Sequence, residues 1–113
     1  MNAGDLYWVE FPARGGHAQA GRRPAIVVQS AEATARLPTV LLMPLTTQID
    51  ALRFPGTALV EITPENGLKR PSVALAFQLT AVDKQFIRTY IGKLSEAARQ
   101  DVQQALDAIT ART

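Results

Sequence analysis

The chain contains no cysteine. A disulfide framework, a thiolate nucleophile and a cysteine-ligated zinc site are therefore excluded. No apolar run reaches the ~20 residues that a membrane-spanning helix needs. The polar N-terminus, residues 1–5, also lacks the pattern of a secretory signal peptide. These absences favour a cytoplasmic protein.

The length and composition are those of one globular domain, which we expect to span residues 1–113. Hydrophobic residues make up 47% of the 113 residues and charged residues 19%, which is too apolar for a disordered chain. The formal net charge of +2 is too small to indicate nucleic-acid binding by itself. The placement of charge is more informative, because Arg14, Arg22 and Arg23 are the only formal charges between Glu10 and Glu32.

A glycine-rich, cationic stretch at residues 15–24 runs directly into the apolar residues 25–28. Glycine permits close approach of the backbone to a ligand, and Pro24 suits the first residue of a strand. Arg22 and Arg23 present planar, permanently charged groups that match phosphate geometry. We interpret this stretch as an anion-binding edge, with RNA phosphate as the anion. The alternative is a solvated hairpin loop whose arginines only keep the surface hydrated.

The remaining pattern predicts a mainly β protein with one α-helix. Short apolar or alternating runs bounded by Gly and Pro predict strands, and Pro44 predicts a sheet edge or a bulge. Residues 30–38 are interpreted as a turn. Ser95 is a good N-cap for a C-terminal amphipathic helix. The expected architecture is a small barrel or strongly twisted sheet with this helix packed outside. The predicted strands are residues 6–11, 25–29, 39–45, 57–62, 72–79 and 86–91.

The order of motifs resembles the MazF/PemK family of toxin endoribonucleases over nearly the whole chain. Each motif is short, but their shared order makes the resemblance specific. The matching segments are Gly4–Val9, Gly16–Val28, Pro44–Gln48, Gly67–Leu68 with Ser72–Val73, Gln78 with Ala81–Gln85, and Ile91–Ser95.

The resemblance implies an SH3-like barrel, shared with CcdB and Kid, that works as a homodimer. It implies cleavage of single-stranded RNA without metal or other cofactor, leaving a 2′,3′-cyclic phosphate and a 5′-hydroxyl. It also implies a MazE-like antitoxin as partner, whose disordered tail folds into the substrate groove.

The resemblance places the catalytic arginine on Arg23 and the catalytic threonine on Thr46. Arg23 is suited to stabilise a charged transition state and poorly suited to be a base, because its guanidinium stays protonated. Thr46 can donate its hydroxyl to a phosphoryl oxygen. Its alternative role is to cap a backbone group at the end of a strand. The mechanism requires Arg23 and Thr46 to lie in one groove.

Two positions depart from the family pattern. Ala18 stands where the family usually has a glutamate, and Thr80 stands where it usually has an arginine. His17 adjoins Ala18 and is a candidate acid or base, since histidine titrates near neutral pH. The alternative for His17 is an exposed loop histidine, and the family tolerates a histidine there.

Further polar residues are predicted RNA contacts. Lys69 and Arg70 are equally well explained as a solvated turn, and Ser72 and Gln78 as partners of backbone groups. Trp8, Tyr7 and Phe77 are candidates for base stacking, although aromatic residues in strands are more often part of the core. The predicted RNA-binding set is Gln19, Arg22, Thr47, Gln48, Lys69, Arg70, Ser72 and Gln78.

Two other functions remain open at this level. Ala18 and Thr80 favour a barrel that binds nucleic acid but cleaves it weakly. The third possibility is an SH3-like interaction module whose partner is a peptide.

Overall fold

One antiparallel sheet organises the molecule. A computed structural model describes residues 1–12 and 21–112 of the chain. Within them, seven strands form a sheet of order β4-β5-β3-β2-β1-β7, and β6 also pairs with β3. The elements are β1 Asp5–Phe11, β2 Gly21–Val27, α1 Ala31–Arg36, β3 Thr39–Thr46, β4 Thr57–Val60, β5 Ser72–Leu75, β6 Thr80–Asp83, β7 Ile87–Lys93 and α2 Glu96–Ile109, with 3-10 turns at Ile49–Arg53, Ala76–Gln78 and Lys84–Phe86.

Strand β3 is the centre of the sheet. On one side it pairs with β2, and on the other it pairs first with β6 and then with β5. The change of partner falls at Met43 and Pro44, because pairing with β6 ends at Leu42 and pairing with β5 begins at Leu45. The prediction of an edge position for Pro44 was wrong. A residue without an N–H is accommodated at the interruption between two ladders.

Successive side chains of the central strands point to opposite faces of the sheet, and both faces are apolar. Ile26, Met43 and Leu45 belong to one core cluster, together with Val102 and Ala105 of α2. Ala25, Val27 and Leu42 belong to the other cluster, with Val9 of β1. The mainly β fold with a C-terminal helix outside the sheet is thus confirmed. In the described part of the chain the sheet is not closed, and its ends are β4 and β7.

Helix α2 begins where the sequence predicted. The Ser95 hydroxyl accepts a hydrogen bond from the Ala98 backbone N–H at 3.1 Å, which satisfies one of the unpaired donors at the helix start. Near its other end, the Ile109 side chain packs against Gly56, which has a φ of +70°. No helix in the described residues is both long and apolar enough to cross a lipid bilayer.

Three segments differ from the sequence prediction. Strand β2 begins at Gly21, so Arg22 and Arg23 are strand residues paired with β1 rather than loop residues. Residues 31–36 form helix α1, which is capped by the Ser30 hydroxyl. The predicted strand at residues 72–79 ends at Leu75 and is followed by a 3-10 turn at Ala76–Gln78, because the chain moves there from the end of β3, which pairs with β5, to its beginning, which pairs with β6.

Asn66 fixes the loop between β4 and β5. It is 1% exposed, and its amide nitrogen donates to the Glu61 carbonyl at 2.8 Å. Its side-chain oxygen accepts hydrogen bonds from the Thr63 and Leu68 backbone N–H groups at 3.3 and 3.0 Å. The side chain therefore satisfies three backbone groups that the loop turns inward.

Replacement of Asn66 by alanine should lower the free energy of unfolding by about 1–3 kcal/mol, because it leaves buried backbone groups without partners. Urea denaturation would measure this change. Asn2→Ala is the matched control, since Asn2 is exposed. Equal stability of the two variants would contradict the role assigned to Asn66.

Tyr7 supports a second prediction. Burial raises its pKa, with smaller contributions from Asp5 and Tyr90, whose ring lies edge-on at 5.4 Å. As the pH rises, the unfolded chain therefore loses the phenolic proton of Tyr7 at a lower pH than the folded chain does. The contribution of Tyr7 to stability is present below pH ~10 and is lost as the pH rises through the folded-state pKa. Stability measured by urea denaturation should fall more steeply above pH ~10 in the wild type than in Tyr7→Phe. Parallel pH profiles would exclude this contribution.

Candidate functional site

Arg23 and Thr46 lie at the same end of neighbouring strands. The last observed pair of the β2–β3 ladder is Ala25 opposite Pro44. Arg23 lies two residues beyond Ala25, and Thr46 lies two residues beyond Pro44. Because side chains two residues apart in a strand share a face, this register places both groups on one face of the sheet.

Thr46 lies in a well-defined environment. It is 7% exposed and pairs with Val73 of β5. Its hydroxyl oxygen accepts a hydrogen bond from the Gln48 backbone N–H at 3.2 Å. The alternative interpretation of Thr46, as a residue that caps a backbone group, is therefore observed. A hydroxyl that accepts a hydrogen bond retains a proton to donate, so the capping contact does not exclude chemistry at Thr46.

Thr46 lines a cavity, which we call the Thr46 cavity. Its volume is about 590 Å³. At its rim, the Phe54 and Phe77 rings pack edge to face with centroids 5.5 Å apart. The Arg53 guanidinium lies 4.3 Å from the centroid of the Phe54 ring and forms a 2.9 Å ion pair with Asp50. The wall thus combines exposed aromatic rings with one cation. Gln48 and Gln78 also line the cavity.

A second cavity, the Trp8 pocket, lies on the other face of the sheet. Its volume is about 270 Å³, and Thr47 lines it while Thr46 lines the first cavity. The Arg22 guanidinium lies 5.3 Å from the centroid of the Trp8 ring. Thr46 is the last residue of β3 and Thr47 follows it, so two neighbouring residues of the chain line different cavities. The lining of this pocket comprises Trp8, Pro24, Thr47, Gly67, Leu68, Lys69, Arg70, Ser72 and Ile91.

The structure therefore divides the predicted site residues into two groups. Thr46, Gln48 and Gln78 line the Thr46 cavity. The lining of neither cavity, as far as the described residues define it, includes Arg23. Four predicted RNA contacts belong instead to the Trp8 pocket, and Arg22 stacks on its tryptophan. Those four are Thr47, Lys69, Arg70 and Ser72.

For Ser72, the alternative interpretation as a hydrogen-bond partner of a backbone group is also observed. Its hydroxyl donates to the Arg70 carbonyl at 3.1 Å, and the residue is 3% exposed. Lys69 and Arg70 are exposed, as both the phosphate-contact and the solvated-turn interpretations require. His17, Gln19 and Ala18 lie outside the described residues.

Sequence reasoning missed Arg53, Phe54 and Asp50. Phe54 is 42% exposed and lines the Thr46 cavity. A large aromatic residue immediately before a Pro-Gly turn is a usable signal, because a turn at the surface tends to expose its neighbours. Among residues 1–12 and 21–112, no three acidic or histidine side chains come together in a way that could hold a metal ion.

These features define a class of protein. It is a small antiparallel β protein with an outer C-terminal helix and with clefts at one end of its central strands. The family model described as "PemK-like, MazF-like toxin of type II toxin-antitoxin system" matches residues 2–110. The chain belongs to this family.

Individual relatives agree with this assignment. The chain is 32% identical over 107 residues to the endoribonuclease EndoA of Bacillus subtilis, covering 94% of this chain and 90% of EndoA. The crystal structure of MazF (Form-I) from Deinococcus radiodurans superposes with a TM-score of 0.80 at 25% identity, covering 98% of this chain and 96% of that one. The D. radiodurans MazE-MazF (Form-II) structure shares the fold, with a TM-score of 0.74 at 24% identity and coverage of 100% and 97%.

Replacement of Thr46 by valine should reduce stability by about 1 kcal/mol, because the Gln48 N–H loses its acceptor in a partly buried position. Thr46→Ser keeps that acceptor and should remain close to the wild type. Thermal and urea denaturation would measure both variants. If valine and serine behave alike, the hydrogen bond contributes nothing measurable, and any effect on activity belongs to the hydroxyl itself.

Proposed function

We propose that this protein is the toxin of a type II toxin-antitoxin pair, a cytoplasmic endoribonuclease that cleaves single-stranded RNA at a site formed by Arg23 and Thr46. The observation that carries the proposal is the shared end and face of these two residues in the β2–β3 register. Family membership over residues 2–110 and similarity to the endoribonuclease EndoA support it.

The proposed reaction needs neither a protein nucleophile nor a metal ion. The RNA 2′-hydroxyl oxygen attacks the adjacent phosphorus, and the bond to the 5′ oxygen breaks. The 2′-hydroxyl proton passes to a base, and the leaving oxygen receives a proton from an acid. The products are a 2′,3′-cyclic phosphate and a 5′-hydroxyl. The protein must stabilise the charged phosphorane and transfer two protons.

Arg23 and Thr46 supply the stabilising groups in this scheme. The guanidinium presents paired N–H donors to the phosphoryl oxygens, where negative charge develops. The Thr46 hydroxyl, while it accepts from Gln48 N–H, donates its own proton to another of these oxygens. Arg23 remains protonated and cannot be the base. His17 is our candidate for one of the proton transfers.

The Thr46 cavity is the proposed seat of the nucleotides next to the cleaved phosphate. Phe54 and Phe77 present half-exposed rings on which bases can stack, and Arg53, whose charge is balanced by its ion pair with Asp50, offers guanidinium N–H donors. Gln48 and Gln78 carry amides that can donate to and accept from base edges. For the predicted RNA contacts around the Trp8 pocket, and for Gln19, an RNA-binding role stays a prediction.

Two protein partners complete the proposal. One of the related structures is a MazE-MazF complex from D. radiodurans, and we expect a cognate MazE-like antitoxin to inhibit this protein. We also expect a homodimer. The exposed Leu59 and Ile62 side chains, 40% and 49% exposed, supply apolar area for such contacts.

A cleavage assay on single-stranded RNA in the presence of chelator tests the activity. Arg23→Gln and Thr46→Val should each lower the rate by about 10²–10³-fold, as the loss of one transition-state donor typically does. Arg23→Lys should fall between wild type and Arg23→Gln, because it keeps the charge and loses the fork geometry. Thr46→Ser should retain cleavage.

Arg36→Gln is the matched control, since Arg36 is an exposed cation at the end of α1, and it should cleave like the wild type. RNA binding without cleavage by the folded wild type would indicate the weakly cleaving nucleic-acid-binding barrel. No RNA affinity at all would indicate the peptide-binding module.

The role of His17 is tested by the pH dependence of the same assay. His17→Ala should flatten the rate profile near pH ~6.5, where an unperturbed imidazole titrates. Unchanged cleavage at every pH would remove His17 from the mechanism and leave Arg23 and Thr46 in place.

A further inference from the structure

We propose that Asn66 is a site of spontaneous deamidation that the folded loop keeps closed. The side chain deamidates when the loop between β4 and β5 opens, and the product prevents the loop from closing again. The frequency of loop opening then limits the lifetime of the folded protein, whatever the protein does to RNA. Three features support this: the Asn-Gly sequence, the burial of the asparagine and the hydrogen bonds of its side chain.

Asn66 is followed by Gly67, the sequence in which an asparagine side chain reacts most readily with its own backbone. The Gly67 backbone nitrogen attacks the side-chain carbon Cγ and loses its proton to water, and the carboxamide nitrogen leaves as ammonia. One water molecule then opens the resulting five-membered imide. Opening at one carbonyl gives aspartate, and opening at the other gives isoaspartate, in which the main chain runs through the former side chain. Glycine favours the attack because it has no Cβ to obstruct the ring.

The folded loop opposes this reaction at both polar atoms of the carboxamide. Nδ2 donates to the Glu61 carbonyl at 2.8 Å, and Oδ1 accepts from the Thr63 and Leu68 N–H groups at 3.3 and 3.0 Å. The Asn66 N–H in turn donates to the Thr63 hydroxyl at 3.2 Å. Ring closure makes Cγ tetrahedral and expels Nδ2, so the side-chain hydrogen bonds have to break first. Asn66 is also 1% exposed, which keeps away the water that the reaction needs.

The attacking nitrogen belongs to backbone that is held just as firmly. Gly67 has a φ of +66°, and a Cβ at this position would clash with the Ile91 carbonyl oxygen, so its backbone lies directly against β7. The Lys93 N–H donates to the Glu65 carbonyl at 3.0 Å. The loop is thus fastened to β7 on both sides of Asn66, and the reaction requires the loop to leave that strand.

Neither product fits the closed loop. Aspartate at position 66 has no N–H to offer the Glu61 carbonyl, so a carboxylate oxygen faces that carbonyl oxygen in a buried site, next in sequence to the charge of Glu65. Isoaspartate lengthens the main chain by one carbon immediately before Gly67, whose backbone has no spare room against β7. Because Gly67 and Leu68 line the Trp8 pocket, a loop that has reacted leaves this pocket without one wall.

Incubation of the full chain at mildly alkaline pH, with and without denaturing urea, tests whether folding controls the reaction. Mass spectrometry of proteolytic peptides measures the exchange of NH₂ for OH at each asparagine. Asn66 should deamidate at least about 10²-fold more slowly in the folded chain, because only the open fraction of molecules reacts. Asn2, the other asparagine of the chain, is exposed and serves as an internal reference whose rate should change little.

Thr63→Ala tests whether the loop hydrogen bonds control the rate. This variant removes the acceptor of the Asn66 N–H and leaves the Asn-Gly sequence intact. It should speed deamidation of the folded chain roughly three- to tenfold, as the loss of one hydrogen bond predicts. Thr89→Ala is the matched control, because Thr89 is exposed on β7, and it should react like the wild type. In urea all three chains should react at the same rate.

Asn66→Asp reproduces the deamidated side chain. In urea denaturation its equilibrium constant for folding should be at least about tenfold below that of the wild type, because a buried carbonyl has lost its donor. Trp8 is the only tryptophan of the chain, and its emission should move to longer wavelength as the wall formed by the loop moves away. Asn2→Asp is the matched control and should equal the wild type in both measurements.

Three results would overturn the proposal. One is an equal rate at Asn66 with and without urea, and another is a Thr63→Ala chain that deamidates no faster than Thr89→Ala. The third is an Asn66→Asp variant with the stability and Trp8 emission of the wild type, since the product would then re-form the loop. None of these measurements involves RNA cleavage, so failure of this proposal and failure of the Arg23–Thr46 mechanism are distinguishable.

Discussion

Strand β3 and its change of partner determine where everything else in the molecule lies. Its first half pairs with β6 and its end pairs with β5, while β2 pairs with its middle. The change occurs at Met43 and Pro44, where a missing N–H is tolerated. Because β3 continues past this point, Thr46 and Thr47 emerge at the end of the strand with their side chains on opposite faces.

The two-residue period of a strand therefore creates two sites from one strand end. The first contains the Thr46 hydroxyl, a pair of aromatic rings and Arg53, with Arg23 on the same face of the neighbouring strand. The second contains Trp8, Pro24 and a cationic rim. The arginines of β2 alternate in the same way, so Arg23 belongs to one face and Arg22 to the other. This separation gives one small domain two surfaces of different chemistry.

Backbone packing supports both sites from behind. The loop after β4 is anchored by a buried asparagine side chain, and two glycines let it press against β7. Helix α2 covers the core face opposite to Val9 and Ala25, where its Val102 and Ala105 are buried. The strand ends that carry Arg23 and Thr46 are thus held by a well-packed core.

The sequence by itself determined the composition class, the positions of most strands, the Ser95 cap of α2 and the family, because local period, turn residues and motif order are properties of short segments. It also singled out Arg23 and Thr46, the two residues on which the proposed cleavage mechanism rests. It failed for the turn that is helix α1, for the start of β2 and for the end of β5, where a 3-10 turn replaces the predicted strand. Only the tertiary structure decided these, since strand pairing with distant residues extends or interrupts an element that looks continuous in sequence. The tertiary structure alone assigned Thr46 and Thr47 to different cavities and placed Lys69 and Arg70 beside Trp8. The face that a side chain occupies depends on the register between strands that are far apart in the chain.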